Sequence, residues 1–300
     1  MENKKLNELK EQIKREENKC LILGIVVSVV LFLITKSYIS IFGGIIFSII
    51  LSSVSLSSLR HEYQSEFKRI FVENTLKEYF TDLVYDSNKV LDENILSSTG
   101  MIYTGDKYQS NDFASGKYKD VNFMQADVKI DELHVTRDDK GHTKAYYVTL
   151  FLGKWMIFDF NKEFKANFQV VEKNFSVSKI GDSVFKNSKF EKVEMEGIKF
   201  NEEFTIYAEN AHDVYYILTP QIMEKLHELN EKIDGELYFG FINNKLYIGV
   251  DTGSDSFEAP DVYDKVTDKE VYKKIKKEIS LITMFVDTLE LDNGIFRKVV

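Results

Sequence analysis

The residues with the clearest potential for chemistry are Asp251-Thr252-Gly253-Ser254, which follow the apolar run LYIGV. They resemble the active-site turn of aspartic proteases, in which two such carboxylates share one proton across a dimer or pseudo-dimer. A protease would also need a flap hairpin and a second apolar-Gly strand downstream, but the main element predicted after this motif is a helix. A polar turn at the end of a hairpin is therefore the favoured interpretation.

The other residue types that support catalysis are scattered along the chain. The five histidines form no HExxH pattern, and His61-Glu62 is not followed by a histidine at the required spacing. The sequence contains no Walker A loop, GxGxxG or GxSxG motif. The single cysteine, Cys20, excludes a disulfide framework and multi-cysteine metal sites. We therefore predict no catalytic residue, no cofactor and no metal site.

Two polar residues in the segment MIFDFNKEF are candidates for recognition. Asp159 and Asn161 alternate with Phe158 and Phe160, so a strand would place both polar side chains on one face. One interpretation is a polar recognition spot on a sheet. The other is a strand edge with one solvated face.

A group of lysines near the carboxyl end is a candidate for lipid contact. Lys269, Lys273, Lys274, Lys276 and Lys277 crowd the last predicted helix, and we single out Lys273, Lys274 and Lys277. A lysine close to anionic headgroups contributes about 1 kcal/mol of binding. The alternative is a solvated face opposite the apolar stripe of the same helix.

The elements that would position these residues begin with two uncharged runs, residues 20–35 and 37–59. As helices they would extend roughly 24 and 35 Å, against a hydrocarbon core of about 30 Å. A single helix through both runs would place Lys36 inside the membrane at a cost of about 3 kcal/mol. We therefore predict a transmembrane hairpin with Lys36 and Ser37 in its turn. A cleaved signal peptide is the alternative, but no small-x-small site precedes Lys36 and a second apolar run follows at once.

The distribution of basic residues predicts the topology. The first 19 residues hold Lys4, Lys5, Lys10, Lys14, Arg15 and Lys19. Arg60, Lys68 and Arg69 follow the second run, whereas the turn has only Lys36. The positive-inside rule then places both termini in the cytoplasm and the hairpin in the inner (cytoplasmic) membrane.

Three parts are predicted: a charged cytoplasmic helix over 1–19, the hairpin over 20–59, and a cytoplasmic domain over 60–300. The net charge of the 300 residues is −9, which argues against a general nucleic-acid binder. Periodicity predicts an amphipathic helix over 61–84, an irregular segment over 85–115 and strands from 117 onward.

Several further elements follow from local signals. Strands are predicted over 117–136 and 144–160, the second interrupted by a hairpin at Gly153-Lys154, and short strands over 168–171 and 204–207. Thr219-Pro220 predicts the start of a helix that ends at Gly235, and Asn243-Asn244 the turn of a hairpin over 236–250. A last helix over about 269–290 begins after Asp268 as its cap. Antiparallel strands with segregated helices make this an α+β domain.

Four segments in order resemble an uncharacterised bacterial membrane-protein family, the domain of unknown function numbered 3137. They are FKRIFVENTLKEYF with the glycine-containing segment after it, YYVTLFLGKWMIFDFNKEF, FTIYAENAHDVYYILTPQIMEKL, and NNKLYIGV with FEAP. The resemblance spans about residues 60–291, and this chain has Phe151-Leu152-Gly153 where the family usually has Phe-Lys-Gly. It implies a LemA-type membrane protein as a partner, and it brings no assigned activity or catalytic residues.

These observations favour a membrane-anchored, cytoplasmic interaction or regulatory module. The first alternative is an enzyme with an acidic-residue site, which clustered carboxylates with raised pKa values would favour. The second is a channel or transporter subunit, for which Ser28, Ser48, Ser52 and Ser53 are the candidate polar residues within the apolar runs.

Overall fold

The structure of the chain is a computed structural model, and it describes residues 2–137, 141–159, 167–173 and 190–292. The chain divides into two compact units. We call residues 1–75 with 257–275 the helical unit, and residues 76–256 with 276–300 the sheet unit.

The helical unit is built on two long antiparallel helices, α1 (Glu2–Thr35) and α2 (Ile39–Phe67). The break between them falls at Lys36, which has a φ of 52°, as the charge pattern predicts. α1 continues across the expected boundary between the charged helix and the hairpin at 19/20. α2 continues across the expected boundary between the hairpin and the cytoplasmic domain at 59/60. A π-helical turn, Lys68–Glu73, continues α2.

Small residues form the seam between α1 and α2. A Cβ added at Gly24 would lie 2.5 Å from the Cβ of Ser48, and one added at Gly44 would lie 1.8 Å from Oγ of Ser28. Ser28 donates a hydrogen bond to the carbonyl oxygen of Gly24 at 2.9 Å, and Ser48 donates to that of Cys20 at 3.0 Å. Three of the four candidate serines, Ser28, Ser48 and Ser53, thus donate hydrogen bonds to helix carbonyl oxygens.

The charged ends of the same two helices also pack together. A small apolar cluster joins them to the segment after residue 257, and it consists of Leu9, Ile13, Cys20, Leu56, Tyr63 and Val262. Tyr63 donates to the carbonyl oxygen of Pro260 at 3.2 Å, and Gln64 donates to Glu258 at 2.6 Å. The charged residues before position 20 therefore belong to a packed helical pair.

The sheet unit is an α+β structure built on one antiparallel sheet of nine strands in the order β1-β2-β3-β4-β9-β8-β5-β7-β6. The strands are β1 (Thr81–Asp86), β2 (Lys107–Tyr118), β3 (Val121–Arg137), β4 (Thr143–Asp159), β5 (Phe168–Glu172), β6 (Glu191–Val193), β7 (Phe204–Ala208), β8 (Glu236–Ile242) and β9 (Lys245–Asp251). The helices that lie wholly or partly in this unit are α3 (Asn74–Tyr79), α4 (Glu93–Ser97), α5 (Ile198–Glu203), α6 (Ala211–Ile217), α7 (Pro220–Lys232) and α8 (Asp268–Leu289).

Helices pack against both faces of the sheet. On one face, Leu96 of α4 and the adjacent Met101 and Ile102 belong to the same buried cluster as Trp155 and Tyr238. On the other face, Phe285 of α8 makes an edge-to-face contact with Phe239 of β8, with the ring centres 6.2 Å apart. The apolar stripe of α8 is buried along its whole length, and it consists of Val271, Ile275, Ile279, Ile282, Val286 and Leu289.

Three local predictions were wrong. The helix expected over 61–84 ends at Tyr79, and β1 follows it, because Asp82 adopts a φ of 51° and Val84 and Tyr85 pair with β2. The segment expected to be irregular contains α4 and most of β2. No hairpin occurs at Gly153-Lys154, since β4 runs unbroken and both residues pair with β3.

The start of α8 also differs in detail from the prediction. Thr267, not Asp268, is the capping residue: its Oγ1 accepts the N–H of Glu270 at 3.3 Å, and the Glu270 carboxylate accepts the N–H of Thr267 at 2.8 Å. These reciprocal bonds form a capping box. The N–H and the hydroxyl of Thr267 both donate to the Glu270 carboxylate, and these two hydrogen bonds lower the pKa of the Glu270 carboxyl.

Candidate functional site

The candidate site is a polar row that crosses four neighbouring strands at one end of the sheet. Lys117 of β2 is opposite Asn122 of β3, and Asp159 of β4 is opposite Lys245 of β9. Asn122 Nδ2 donates to Asp159 Oδ2 at 2.8 Å, and Lys245 Nζ donates to Asp159 Oδ1 at 3.2 Å. Asp159 therefore joins β3, β4 and β9 through its two carboxylate oxygens.

This row borders an open cavity of about 310 Å³. Met124 and Ile157, which are cross-strand partners, supply apolar lining next to the row. On the β1 side, Lys117 Nζ lies 2.8 Å from Asp82 Oδ2, and this hydrogen bond raises the pKa of the Lys117 ammonium. The cavity thus combines an apolar patch with a border of alternating charge.

The polar groups of the row remain accessible to a ligand. The side chain of Asp159 is 45% exposed and that of Lys245 is 40% exposed. A partner that supplied its own carboxylate or amide could exchange with these hydrogen bonds at low cost, because exposed ion pairs contribute only about 0–1 kcal/mol. The described lining residues include no histidine or cysteine, and the arrangement suits recognition of a polar group beside an apolar one.

The structure tests only part of the predicted recognition spot. Asp159 lies at the end of β4 and forms the centre of the row. Asn161 lies outside the described residues. Sequence reasoning missed Lys117, Asn122 and Lys245, which join Asp159 only through the register of separate strands.

The lysines singled out for lipid contact lie on α8 and do not line this cavity. Lys273, Lys274 and Lys277 are exposed, as either interpretation of them requires. Contact with a lipid surface stays a prediction.

A second polar group is the ion pair of Asp127 and Lys154. It is buried on the face of β3 and β4 opposite to the polar row. Lys154 Nζ donates to Asp127 Oδ1 at 3.2 Å, and the N–H of Ser256 donates to Asp127 Oδ2 at 2.8 Å. Both side chains are almost fully buried. Removing one member of such a pair leaves the other charge buried without its partner, so substitution at either position should be strongly destabilising.

The protease-like motif forms a turn after β9. Asp251 Oδ1 accepts the N–H of Gly253 at 3.2 Å and that of Leu152 at 3.4 Å, and Gly253 has a φ of 66°. These contacts make the carboxylate an acceptor for backbone groups at the strand end, in agreement with the turn interpretation.

The enzyme alternative depends on carboxyl groups whose pKa values are raised. The carboxyl groups of Glu66 and Glu270 have pKa values that are lowered, not raised. Hydrogen bonds from Arg69 are the main cause at Glu66, and those from Thr267 are the cause at Glu270. An acidic catalytic site stays a prediction from the sequence.

The comparisons with known proteins agree with the family resemblance. Residues 149–291 match the family described as "Protein of unknown function (DUF3137)", which confirms the resemblance over that part of the chain. The curated proteins gave no significant match. One solved structure, the crystal structure of the mycobacterial trehalose monomycolate transport factor A, TtfA, is similar at a TM-score of 0.38 and 8% identity, covering 76% of this chain and 94% of that chain. Similarity at that level assigns neither fold nor function.

Proposed function

We propose that this protein is a membrane-anchored interaction module, in which the α1–α2 hairpin is the anchor and the sheet unit carries the recognition surface. The observation that carries the proposal is the exposure of the two apolar helices. Only 17% of the most apolar 18-residue window of α1 is buried, and 11% of that of α2. The core helix of a soluble protein would be mostly buried, whereas lipid would cover such a surface.

The detailed packing of the hairpin supports this anchor. Large apolar residues such as Leu33, Ile39 and Phe42 face outward, while Gly24 and Gly44 lie at the helix contact. Transmembrane helices associate in this way, because close packing replaces the hydrophobic driving force that lipid removes. With the basic residues flanking both outer ends, the positive-inside rule favours both termini in the cytoplasm of a bacterial cell.

The recognition surface that we propose is the cavity bordered by Lys117, Asn122, Asp159 and Lys245. Its alternating charges and apolar lining suit a protein segment that presents a carboxylate next to an apolar side chain. The family resemblance adds a LemA-type membrane protein as the proposed partner. Such a partner would share the membrane with this protein, which raises the effective concentration of a weak contact.

Fractionation of cell membranes tests the anchor. The full chain should stay in the membrane after alkaline carbonate washing, and a variant that lacks residues 20–59 should be soluble. Release of the full chain by carbonate would refute the anchor.

Site-specific crosslinking tests the recognition surface. A photoreactive residue in place of Asn122 should give one dominant crosslinked membrane protein in native membranes. The same residue in place of Glu224, an exposed position on α7, is the matched control. Equal crosslinking patterns at the two positions would refute the cavity as the interface.

A further inference from the structure

A second cavity lies between α1 and α2 within the helical unit. Its volume is about 360 Å³. Glu17, Arg60 and Tyr263 line its polar part, and Leu21 and Ile49 line its apolar part. It is therefore amphipathic, with a charged part and an apolar part that adjoin each other.

The sequence positions of the lining residues coincide with the end of the uncharged hairpin. Glu17 lies just before the uncharged run that starts at residue 20, and Arg60 lies just after the run that ends at residue 59. If the hairpin spans the membrane as proposed, the cavity lies at the depth of the lipid headgroups. The inference drawn below rests on that proposed function.

The polar part holds one cation and one anion in contact. The guanidinium of Arg60 forms an ion pair with the carboxylate of Glu17, and Tyr263 donates a hydrogen bond to the same carboxylate at 2.7 Å. The Arg60 side chain is 61% exposed, so several of its five N–H donors face solvent. A guanidinium in this state is suited to bidentate contact with a phosphate.

The carboxylate of Glu17 offers the complementary contact. Its side chain is only 17% exposed, and it is held in place by Arg60 and Tyr263. A ligand that carries a phosphate and an ammonium close together could match both charges without leaving either one unpaired. Ser52, whose hydroxyl has no hydrogen-bond partner among the described residues, adds a donor on the same wall.

We infer that this cavity binds one phospholipid whose headgroup carries both a phosphate and an ammonium group. The phosphate contacts Arg60, the ammonium contacts Glu17, and an acyl chain lies along Leu21 and Ile49. A free phosphate would satisfy Arg60 alone and would leave the apolar part of the cavity uncovered. The apolar lining therefore favours a lipid over a soluble anion.

Native mass spectrometry of the full chain in detergent tests this inference. After delipidation, the protein is titrated separately with phosphatidylethanolamine, phosphatidylglycerol and inorganic phosphate. We expect one phosphatidylethanolamine to bind at least about tenfold more tightly than phosphatidylglycerol, because loss of one charge-assisted contact is worth roughly this factor. We expect inorganic phosphate not to compete.

Two substitutions and one control locate the site. Arg60→Gln and Glu17→Gln should each weaken binding of phosphatidylethanolamine by about tenfold or more. Arg69→Gln is the matched control, because Arg69 pairs with Glu66 and does not line the cavity. Unchanged helical circular dichroism would show that the variants are folded.

The outcomes separate this inference from the proposed function. Equal binding by the wild type and Arg60→Gln, or equal binding of the two lipids, would overturn the lipid site while leaving the anchor intact. Competition by inorganic phosphate would overturn the choice of a lipid. Failure of the full chain to remain in carbonate-washed membranes would instead refute the anchor itself.

Discussion

Gly44 of α2 lies so close to Gly24 of α1 that a Cβ on Gly44 would be 2.6 Å from the carbonyl oxygen of Gly24. Real Cβ atoms do not approach a backbone oxygen this closely, so even alanine at position 44 must separate the helices. The neighbouring Gly43 is different, since its Cβ would meet only Leu31 at 3.8 Å. The two adjacent glycines therefore form a matched pair for testing the hairpin.

Gly44→Ala should loosen the hairpin, and Gly43→Ala should not. Cys20 Sγ lies 3.5 Å from Ser55 Oγ, so Ser55→Cys places two thiols in a position to form a disulfide. Oxidation of this variant should give an intramolecular crosslink, and we expect Gly44→Ala to slow its formation several-fold. Equal crosslinking in the two alanine variants would show that the helices do not meet at Gly44.

The last helix, α8, provides another matched comparison, this time between its buried face and its exposed face. Ile282→Ala should lower the melting temperature of the full chain in detergent clearly more than the double change Lys273→Gln and Lys277→Gln. Ile282 is fully buried, and truncating a buried Ile to Ala costs roughly 2–5 kcal/mol. The two lysines are exposed. The reverse order of melting temperatures would mean that α8 does not dock through this face.

Gln125 of β3 is a site where a substitution should stabilise the protein. Its side chain is buried, and both amide atoms lack a hydrogen-bond partner in the described chain. Gln125→Met keeps the length of the side chain and removes the unpaired polar atoms, so we expect a gain of about 1–3 kcal/mol in the free energy of unfolding. Gln109→Met, at an exposed position of β2, is the control and should change little. A loss of stability in urea titrations of Gln125→Met would contradict this.

Asp251→Asn should leave stability and any cellular phenotype unchanged. The asparagine side-chain oxygen accepts hydrogen bonds from Gly253 and Leu152 as the carboxylate does. Asp251→Ala, which removes this acceptor, should cost about 1 kcal/mol. Loss of function in Asp251→Asn, with the melting temperature intact, would favour a catalytic role for the carboxylate over a turn.

The sequence predicted the parts of the fold that depend on local signals. The hairpin break at Lys36, the helix that starts after Thr219 and the turn at Asn243-Asn244 each follow from residues adjacent in the chain. The strand β1 was missed because its apolar residues continue the helical spacing before it, and the sheet overrides that preference through pairing with β2.

The candidate site shows the limit of sequence reasoning more clearly. Asp159 was identifiable from the alternation of polar and aromatic residues around it. Its partners Asn122 and Lys245 come from β3 and β9, and they meet Asp159 only through strand order and register. The position of Lys245 opposite Asp159 depends on the pairing of β4 with β9, two strands that are far apart in the sequence.

The central claim is that the hairpin crosses the membrane twice and leaves both ends in the cytoplasm. Single cysteines in place of Glu8, Tyr38 and Asp106, in a Cys20→Ser background, test it by labelling intact cells with a membrane-impermeant thiol reagent. Tyr38 is 75% exposed next to the hairpin turn. The account predicts labelling at position 38 from outside, and labelling at positions 8 and 106 only after permeabilisation. Labelling of position 8 or 106 in intact cells would contradict it.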